Sequence, residues 1–179
     1  MIERRLLCAG AVAIGALATA LAATIALPPR PLLVWNASAS APIGFYAVHG
    51  FRAPATGDMV VARVPQPLRQ LAAQRHYLPA NVPLVKRVAG EPGDTVCAIG
   101  QDLFVNGRWV AERLITDGAG RRMPWWSGCV ALRNGALFLL MTDSPASFDG
   151  RYFGPSNKSE IIGEATLLWA TPAQGSADE

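Results

Sequence analysis

The sequence predicts a mainly β domain that follows an N-terminal transmembrane helix. Beyond residue 31, short apolar runs alternate with Gly, Pro, Asn and Asp, which is typical of strands joined by tight turns. Residues 6–27 contain no charged side chain, and about 20 apolar residues are enough to cross the hydrocarbon core as a helix. We therefore expect a cytoplasmic stub and membrane anchor over residues 1–28 and a single domain with closed or strongly coiled sheets over residues 29–179.

The charges around the apolar N-terminal segment predict its orientation. Arg4 and Arg5 precede it, so the positive-inside rule places the N-terminus in the cytoplasm and the β domain on the periplasmic side of the inner membrane. A cleaved signal peptide is the alternative, because residues 18–23 contain small-residue cleavage motifs. The apolar segment is longer than the roughly 7–15 residues usual in signal peptides. Its length therefore favours an uncleaved anchor that contacts lipid through residues 6–27.

Eight segments of the exterior domain have the composition of strands. They are residues 44–48, 58–64, 84–88, 95–99, 102–105, 108–112, 136–141 and 161–169. Asn106-Gly107 between two of them predicts a two-residue hairpin turn. Residues 67–75 have leucines at helical spacing and predict one short helix between strands, and residues 118–126 predict a loop.

The composition gives little support to nucleic-acid, metal or cofactor binding. The net charge is +3, and the arginines are scattered rather than gathered in a basic block with interleaved aromatic residues. The only histidines are His49 and His76, and neither a CxxC nor an HxxxH motif occurs. We therefore expect no metal site, no other cofactor and no nucleic-acid partner.

The three cysteines divide into one in the apolar segment and two in the β domain. Cys8 belongs to the segment expected in the membrane, which leaves Cys97 and Cys129 as an even pair. In an oxidising compartment such a pair is a candidate disulfide. Two buried thiols are the alternative.

Lys86 is the most informative residue of the β domain. Of the 16 basic residues, only Lys86 and Lys158 are lysines, and Lys86 lies in the apolar run 82–88. A buried Lys can lose its proton near neutral pH, whereas an Arg cannot. Lys86 is therefore a candidate general base, although a lysine that protects an edge strand would give the same pattern.

A candidate nucleophile lies close to the end of the apolar N-terminal segment. Ser40 has small neighbours, and Pro42 and Gly44 predict a turn directly after it. Serine needs an adjacent base to act as a nucleophile, and the Ser-Lys variant of the catalytic triad fits Lys86 directly. A triad with one of the two histidines is an alternative, but neither histidine has a recognisable triad context. An ordinary polar linker would also explain the small and polar residues.

The segment 142–154 supplies candidate supporting residues. Ser147, Asp149 and Arg151 alternate in the sequence, and on an extended backbone alternating side chains point to the same side. There the Ser147 hydroxyl would orient the amine of Lys86, while Asp149 and Arg151 would pair. An exposed turn with a surface ion pair, worth about 0–1 kcal/mol, is the alternative.

Four segments together resemble the type I signal peptidases and follow the order of their sequence boxes. They are Ser-x-Pro-x-Gly-x-Tyr at 40–46, Gly-Asp-Met-Val-Val at 57–61, Lys-Arg-Val-x-Gly-x-Pro-Gly-Asp at 86–94, and Ser-x-Asp-x-Arg-Tyr-x-Gly at 147–154. Within that superfamily the chain is most similar to the TraF-type conjugation peptidases, which are membrane-anchored Ser-Lys proteases that process the pilin of plasmid transfer systems. The resemblance covers nearly the whole chain and implies a signal-peptidase-like coiled β-sheet domain with one short helical insert.

The resemblance also implies a role for each candidate residue. Ser40 is the expected nucleophile and Lys86 the expected general base. The hydroxyl of Ser38 and the backbone N–H of Ser40 are expected to form the oxyanion hole. In the last box we expect a lysine-orienting hydroxyl and a supporting ion pair: Ser147, Asp149 and Arg151. The implied substrate is a membrane-associated pilin precursor, whose own N-terminus would accept the acyl group and give a cyclic product.

Two departures from the ordinary signal-peptidase boxes favour the conjugation branch over a general leader peptidase. The string Ser40-Ala41-Pro42 is one residue shorter than Ser-Met-x-Pro, and Gly150 stands where leader peptidases carry Ser. A Ser-Lys autoproteolytic repressor is disfavoured by the N-terminal segment and the lack of a DNA-binding module. A catalytically inactive scaffold of a secretion or mating channel, in contact with pilus-assembly components, stays open.

Overall fold

The computed structural model describes residues 2–26, 31–50 and 53–171 and divides the chain into two units, Met1–Pro31 and Leu32–Glu179. The first unit contains helix α1, Ile2–Ala26, which confirms the predicted N-terminal helix. Among the described residues no helix is both long and apolar enough to cross a membrane. The predicted boundary between residues 28 and 29 lies outside the described residues.

The second unit contains two antiparallel sheets. Its described strands are, in chain order, β1 Leu33–Asn36, β2 Gly44–His49, β3 Met59–Ala62, β4 Leu84–Gly90, β5 Thr95–Ile99, β6 Asp102–Val105, β7 Arg108–Glu112, β8 Gly128–Ala131, β9 Phe138–Leu139 and β10 Ile161–Ala170. The larger sheet has the order β1-β2-β10-β3-β4-β9 and the smaller one β7-β6-β5-β8. The mainly β fold class is therefore confirmed.

Among the described residues of the second unit, three short helical segments accompany the sheets. Helix α2 covers Gln66–Gln74, one residue from the predicted start and end, and has a proline in its first turn. Helix α3 covers Gly150–Phe153, and a 3₁₀ turn covers Lys158–Glu160. The sequence did not predict the last two, because each is too short to show a helical period.

The best predicted strands belong to the local hairpin. The bounds of β5, β6 and β7 equal the predicted ones. Asn106 and Gly107 have φ angles of 51° and 77°, as the predicted two-residue turn requires. Strands β1 and β8 were missed, and every side chain of β8 is exposed, so it carries no alternation of apolar and polar residues.

Strand β4 lies inside the larger sheet and is covered on both faces. It pairs with β3 on one side and β9 on the other. Leu84 and Val88 pack into one buried apolar cluster and Val85 into another. Bulges interrupt the pairing of β10 and of β4, and such bulges bend strands and increase their twist. Lys86 lies on β4, two residues before the bulge of that strand at Val88–Gly90.

Candidate active site

The candidate nucleophile lies in the loop of the β1–β2 hairpin. Asn36 pairs with Gly44 at the end of the ladder, so residues 37–43 form the connecting loop. Ser40 lies in the middle of this loop and is partly exposed, while Ala41 beside it is buried. The loop therefore presents the Ser40 hydroxyl at the surface of the domain, where a peptide can reach it.

The structure brings Lys86 to this hydroxyl. Lys86 pairs with Val60 of β3 and is 4% exposed. Its Nζ lies 2.7 Å from Oγ of Ser40 and 2.8 Å from Oγ of Ser147. Because β4 has neighbours on both sides, the alternative that Lys86 protects an edge strand is wrong.

Burial lowers the pKa of Lys86 from 10.5 to about 8, with Asp149 acting to raise it and Arg151 to lower it further. Desolvation disfavours the charged ammonium, so the neutral amine forms closer to neutral pH than in an ordinary lysine. A neutral amine that donates to Ser147 keeps its lone pair for the proton of Ser40. The arrangement is therefore suited to general-base chemistry near neutral pH.

Asp149 and Arg151 form a buried ion pair beside the lysine. Arg151 Nη1 lies 3.3 Å from Oδ2 of Asp149, and both side chains are at most 1% exposed. The Asp149 carboxylate also accepts the backbone N–H groups of Met141 (3.0 Å) and Arg151 (3.1 Å). Burial raises the pKa of Asp149, and the charges of Arg151 and Lys86 oppose this shift.

The guanidinium of Arg151 holds the segment that carries Ser147. It donates to the carbonyl oxygens of Ser144 (2.7 Å) and Met141 (2.7 Å), and more weakly to that of Pro145 (3.3 Å). These bonds fix the backbone on the N-terminal side of Ser147, which is itself buried. The ion pair therefore supports the hydroxyl that orients the lysine.

The expectation that residues 147–151 are extended is wrong. Asp149 is extended, but it caps helix α3, and Arg151 lies inside that helix. A turn bond from the Ser147 N–H to the Ser144 carbonyl precedes it. The three side chains meet through a turn and a helix start rather than through strand alternation. Asp149 is the N-cap of α3, and its side chain accepts the Arg151 N–H.

The Ser38 hydroxyl is close to the nucleophile. Its Oγ lies 3.0 Å from Oγ of Ser40 and accepts the Ser40 backbone N–H over 3.4 Å. His49 instead hydrogen-bonds Thr166, and within the described residues no hydrogen bond links a histidine to Ser40.

Cys97 and Cys129 form a disulfide in the smaller sheet. They lie directly opposite each other on β5 and β8. The bond is thus in a different sheet from Ser40 and Lys86 and has no direct part in the candidate chemistry.

Sequence reasoning missed one residue that contacts the nucleophile loop. Asn36 is buried at the end of β1 and hydrogen-bonds the loop on both sides of Ser40. A polar residue at an inward position of a strand is the signal that could have revealed it. Strand β1 was not predicted, so the inward position could not be recognised.

A serine hydroxyl hydrogen-bonded to a buried amine is an arrangement suited to the chemistry of a serine peptidase. The sequence model of a family described as "Signal peptidase, peptidase S26" matches residues 4–170, and the chain belongs to this family. The resemblance predicted from the sequence boxes is therefore confirmed, and the protein is a peptidase of the signal-peptidase class.

Similar proteins include transfer proteins and a signal peptidase. The chain is 32% identical over 137 residues to a "Plasmid transfer protein TraF" of Escherichia coli, covering 70% of this chain and 76% of that protein. It is 32% identical over 140 residues to the "Conjugal transfer protein TraF" of Agrobacterium fabrum, covering 73% and 78%. It is 33% identical over 95 residues to "Signal peptidase I V" of Bacillus subtilis, covering 48% and 56%.

Proposed function

We propose that this chain is a serine endopeptidase in which Ser40 is the nucleophile and Lys86 the general base. The observation that carries the proposal is the 2.7 Å separation between Nζ of the buried Lys86 and Oγ of Ser40. Serine attacks only when a neighbouring base removes its proton, and a lysine with a lowered pKa can be that base. Ser147, Asp149 and Arg151 would keep the amine in place.

The reaction follows from these positions. Neutral Lys86 takes the hydroxyl proton while Oγ of Ser40 attacks the scissile carbonyl carbon and forms a tetrahedral oxyanion. Donors at Ser38 and at the Ser40 backbone N–H stabilise that oxyanion, and one such donor is typically worth about 10²–10³ in rate. The ammonium of Lys86 then protonates the departing amine as the peptide bond breaks. Water, or a second amine, attacks the resulting ester and releases the serine.

The proposed substrate is a pilin precursor of a conjugal transfer system. The similarity to two proteins named for plasmid and conjugal transfer supports this choice. In this proposal the N-terminal amine of the pilin attacks the acyl-enzyme and gives a cyclic product. The partial exposure of Ser40 on a surface loop is compatible with a macromolecular substrate.

We also propose that the peptidase domain works outside the cytoplasm, at the surface of the inner membrane. The disulfide of the smaller sheet suits an oxidising compartment. Trp35 and Phe45 are exposed on the strands that flank the Ser40 loop, and Trp35 stacks with exposed Trp169. Clustered aromatic side chains of this kind favour the boundary between water and lipid.

A general type I signal peptidase is the second candidate, because the Bacillus subtilis relative carries that name. The substrates that the enzyme processes distinguish the two candidate functions. The conjugation enzyme is expected to cleave the pilin precursor encoded with its own transfer genes and to leave ordinary secreted precursors intact. Cleavage of several unrelated leader peptides would favour the general enzyme.

The test compares processing of that pilin precursor by the wild-type chain and by Ser40→Ala, Lys86→Ala and Lys158→Ala. We expect the first two variants to lose processing, while Lys158→Ala, which replaces the only other lysine, keeps it. Full activity of Lys86→Ala at neutral pH would refute the mechanism, and a scaffold would show no processing in any variant. Mass spectrometry of the product tests cyclisation separately, because a cyclic pilin weighs one water less than the linear form.

A further inference from the structure

Asn36 occupies a position where the fold calls for an apolar side chain. Along β1 the side chains alternate, so Val34 and Asn36 point to the buried face and Leu33 and Trp35 to the exposed one. Asn36 is 7% exposed. A buried amide is costly unless its polar atoms are hydrogen-bonded, so the partners of Asn36 explain its presence.

Those partners are all in the nucleophile loop. Nδ2 of Asn36 donates to the carbonyl oxygens of Ser38 (2.9 Å), Ala41 (3.1 Å) and Pro42 (3.1 Å), and Oδ1 accepts the N–H of Ser38 (3.2 Å). An amide offers two N–H donors, so three carbonyls share two protons. The acceptors lie on both sides of Ser40, which places the nucleophile between fixed peptides.

The loop has few other bonds to hold it. Among the described residues, the only backbone hydrogen bond within residues 37–43 joins the Ala41 N–H to the Ser38 carbonyl, over 3.4 Å. The Tyr46 hydroxyl donates to the Pro42 carbonyl (2.9 Å), and Thr171 donates through its N–H (2.8 Å) and its hydroxyl (3.2 Å) to the Ile43 carbonyl. These bonds all lie after the nucleophile. The backbone that precedes Ser40 is therefore held in place by Asn36.

We propose that Asn36 is a positioning residue of the peptidase site, which holds the peptides on both sides of Ser40 so that its hydroxyl stays within reach of Lys86. The inference rests on the proposed function of these two residues. Without the amide, the loop carbonyls turn to water and Oγ leaves the attack position. A displacement of about 1 Å at a reacting group can cost about 10² in rate, while substrate binding elsewhere is unaffected.

The experiment measures acetylation of Ser40 in the full chain by p-nitrophenyl acetate, with the modified residue located by mass spectrometry. Asn36→Ala removes every bond to the loop. Asn36→Asp keeps the acceptor for the Ser38 N–H but removes both donors. Val96→Ala is the control for a loss of stability alone, because Val96 is buried in the core of the smaller sheet.

We expect both Asn36 variants to be acetylated about 10² times more slowly than the wild type, while Val96→Ala reacts at nearly the wild-type rate. The pH profile provides a second readout. In Asn36→Ala the plateau rate falls, but the midpoint stays where it is in the wild type, because the burial of Lys86 is unchanged. A variant that had only lost stability would react at the wild-type rate per folded molecule.

Four results would contradict the inference or its basis. Wild-type rates in Asn36→Asp would mean that the donors do not hold the loop, and an equal fall in Val96→Ala would mean that stability alone matters. If Asn36→Ala does not fold, Asn36→Ser replaces it. The acetylation rate of Asn36→Ser should lie between those of the wild type and Asn36→Asp. A wild-type rate in Asn36→Ser would also refute the inference. A wild-type chain without acetylation at Ser40 would instead overturn the proposed function, and this inference with it.

Discussion

Replacing Lys86 by methionine should make the protein more stable at neutral pH although it removes the proposed base. Burial lowers the pKa of Lys86 from 10.5 to about 8, a difference of about 2.5 units. Each unit corresponds to about 1.36 kcal/mol, so the folded chain carries a penalty of about 3 kcal/mol when the lysine is charged. Methionine has a similar length and no charge, and it avoids this penalty.

The pH dependence of this difference follows from proton linkage. Below about pH 8 the lysine is protonated in both the folded and the unfolded chain, so the full penalty applies. Between about pH 8 and 10.5 the unfolded chain keeps a proton that the folded chain has released, so the stability of the wild type rises with pH. Across this pH range the free energy of unfolding of the wild type should therefore rise by about 3 kcal/mol relative to that of Lys86→Met.

The assay is urea unfolding of both chains at several pH values between about 7 and 10.5, with the free energy obtained by linear extrapolation. The other titrating groups are common to both chains and largely cancel in the difference. Val85→Ala on the same strand is the control, because it removes buried apolar atoms and no titrating group; its difference from the wild type should not change with pH. A Lys86→Met difference that is equally flat would refute the lowered pKa and the base assigned to it.

Three other predictions concern the rate and the fold. The kcat/KM for peptide cleavage should rise with pH through a midpoint near 8, since the neutral form of Lys86 is the base; a rate that is constant over this range would contradict it. Ser147→Ala removes one of the two hydrogen bonds of the Lys86 amine. Since such a bond is worth about 1.5 kcal/mol, kcat should fall about tenfold. Steady-state kinetics that show a change in KM alone would argue against the orienting role of Ser147. Replacing Cys97 and Cys129 together by Ser should lower the free energy of unfolding by about 3 kcal/mol, measured by denaturant titration. The folded protein should still be acylated at Ser40 by p-nitrophenyl acetate. Loss of this reaction without unfolding would show that the smaller sheet shapes the site.

The sequence predicted best what depends on neighbours along the chain. The β6–β7 turn follows from Asn106-Gly107, because only residues that tolerate positive φ fit a two-residue hairpin. Helix α2 follows from the spacing of Leu68 and Leu71, and in the structure Leu68 packs against a buried cluster as that spacing requires. Strand β8 has no such signal, since all its side chains are exposed.

The residues of the candidate site were visible in the sequence, but their arrangement was not. A lysine within an apolar strand indicated a buried amine, and the small residues around Ser40 indicated an accessible hydroxyl. Asp149 and Arg151 were expected to pair through strand alternation, and they pair through the start of helix α3 instead. Asn36 was not recognised, because its role is to hydrogen-bond three carbonyl groups that turn toward it only in the folded loop.

The sequence by itself determined the mainly β class, the local hairpin, the short helix and the candidate nucleophile and base. Each of these depends on the composition or spacing of nearby residues, which the chain carries before it folds. Only the tertiary structure decided that Ser40 and Lys86, 46 residues apart, meet at 2.7 Å. Burial on β4 lowers the pKa of the lysine, and Asn36 holds the loop that brings Ser40 to Lys86. Both the burial and the loop position arise from packing between strands, so no local sequence pattern encodes them.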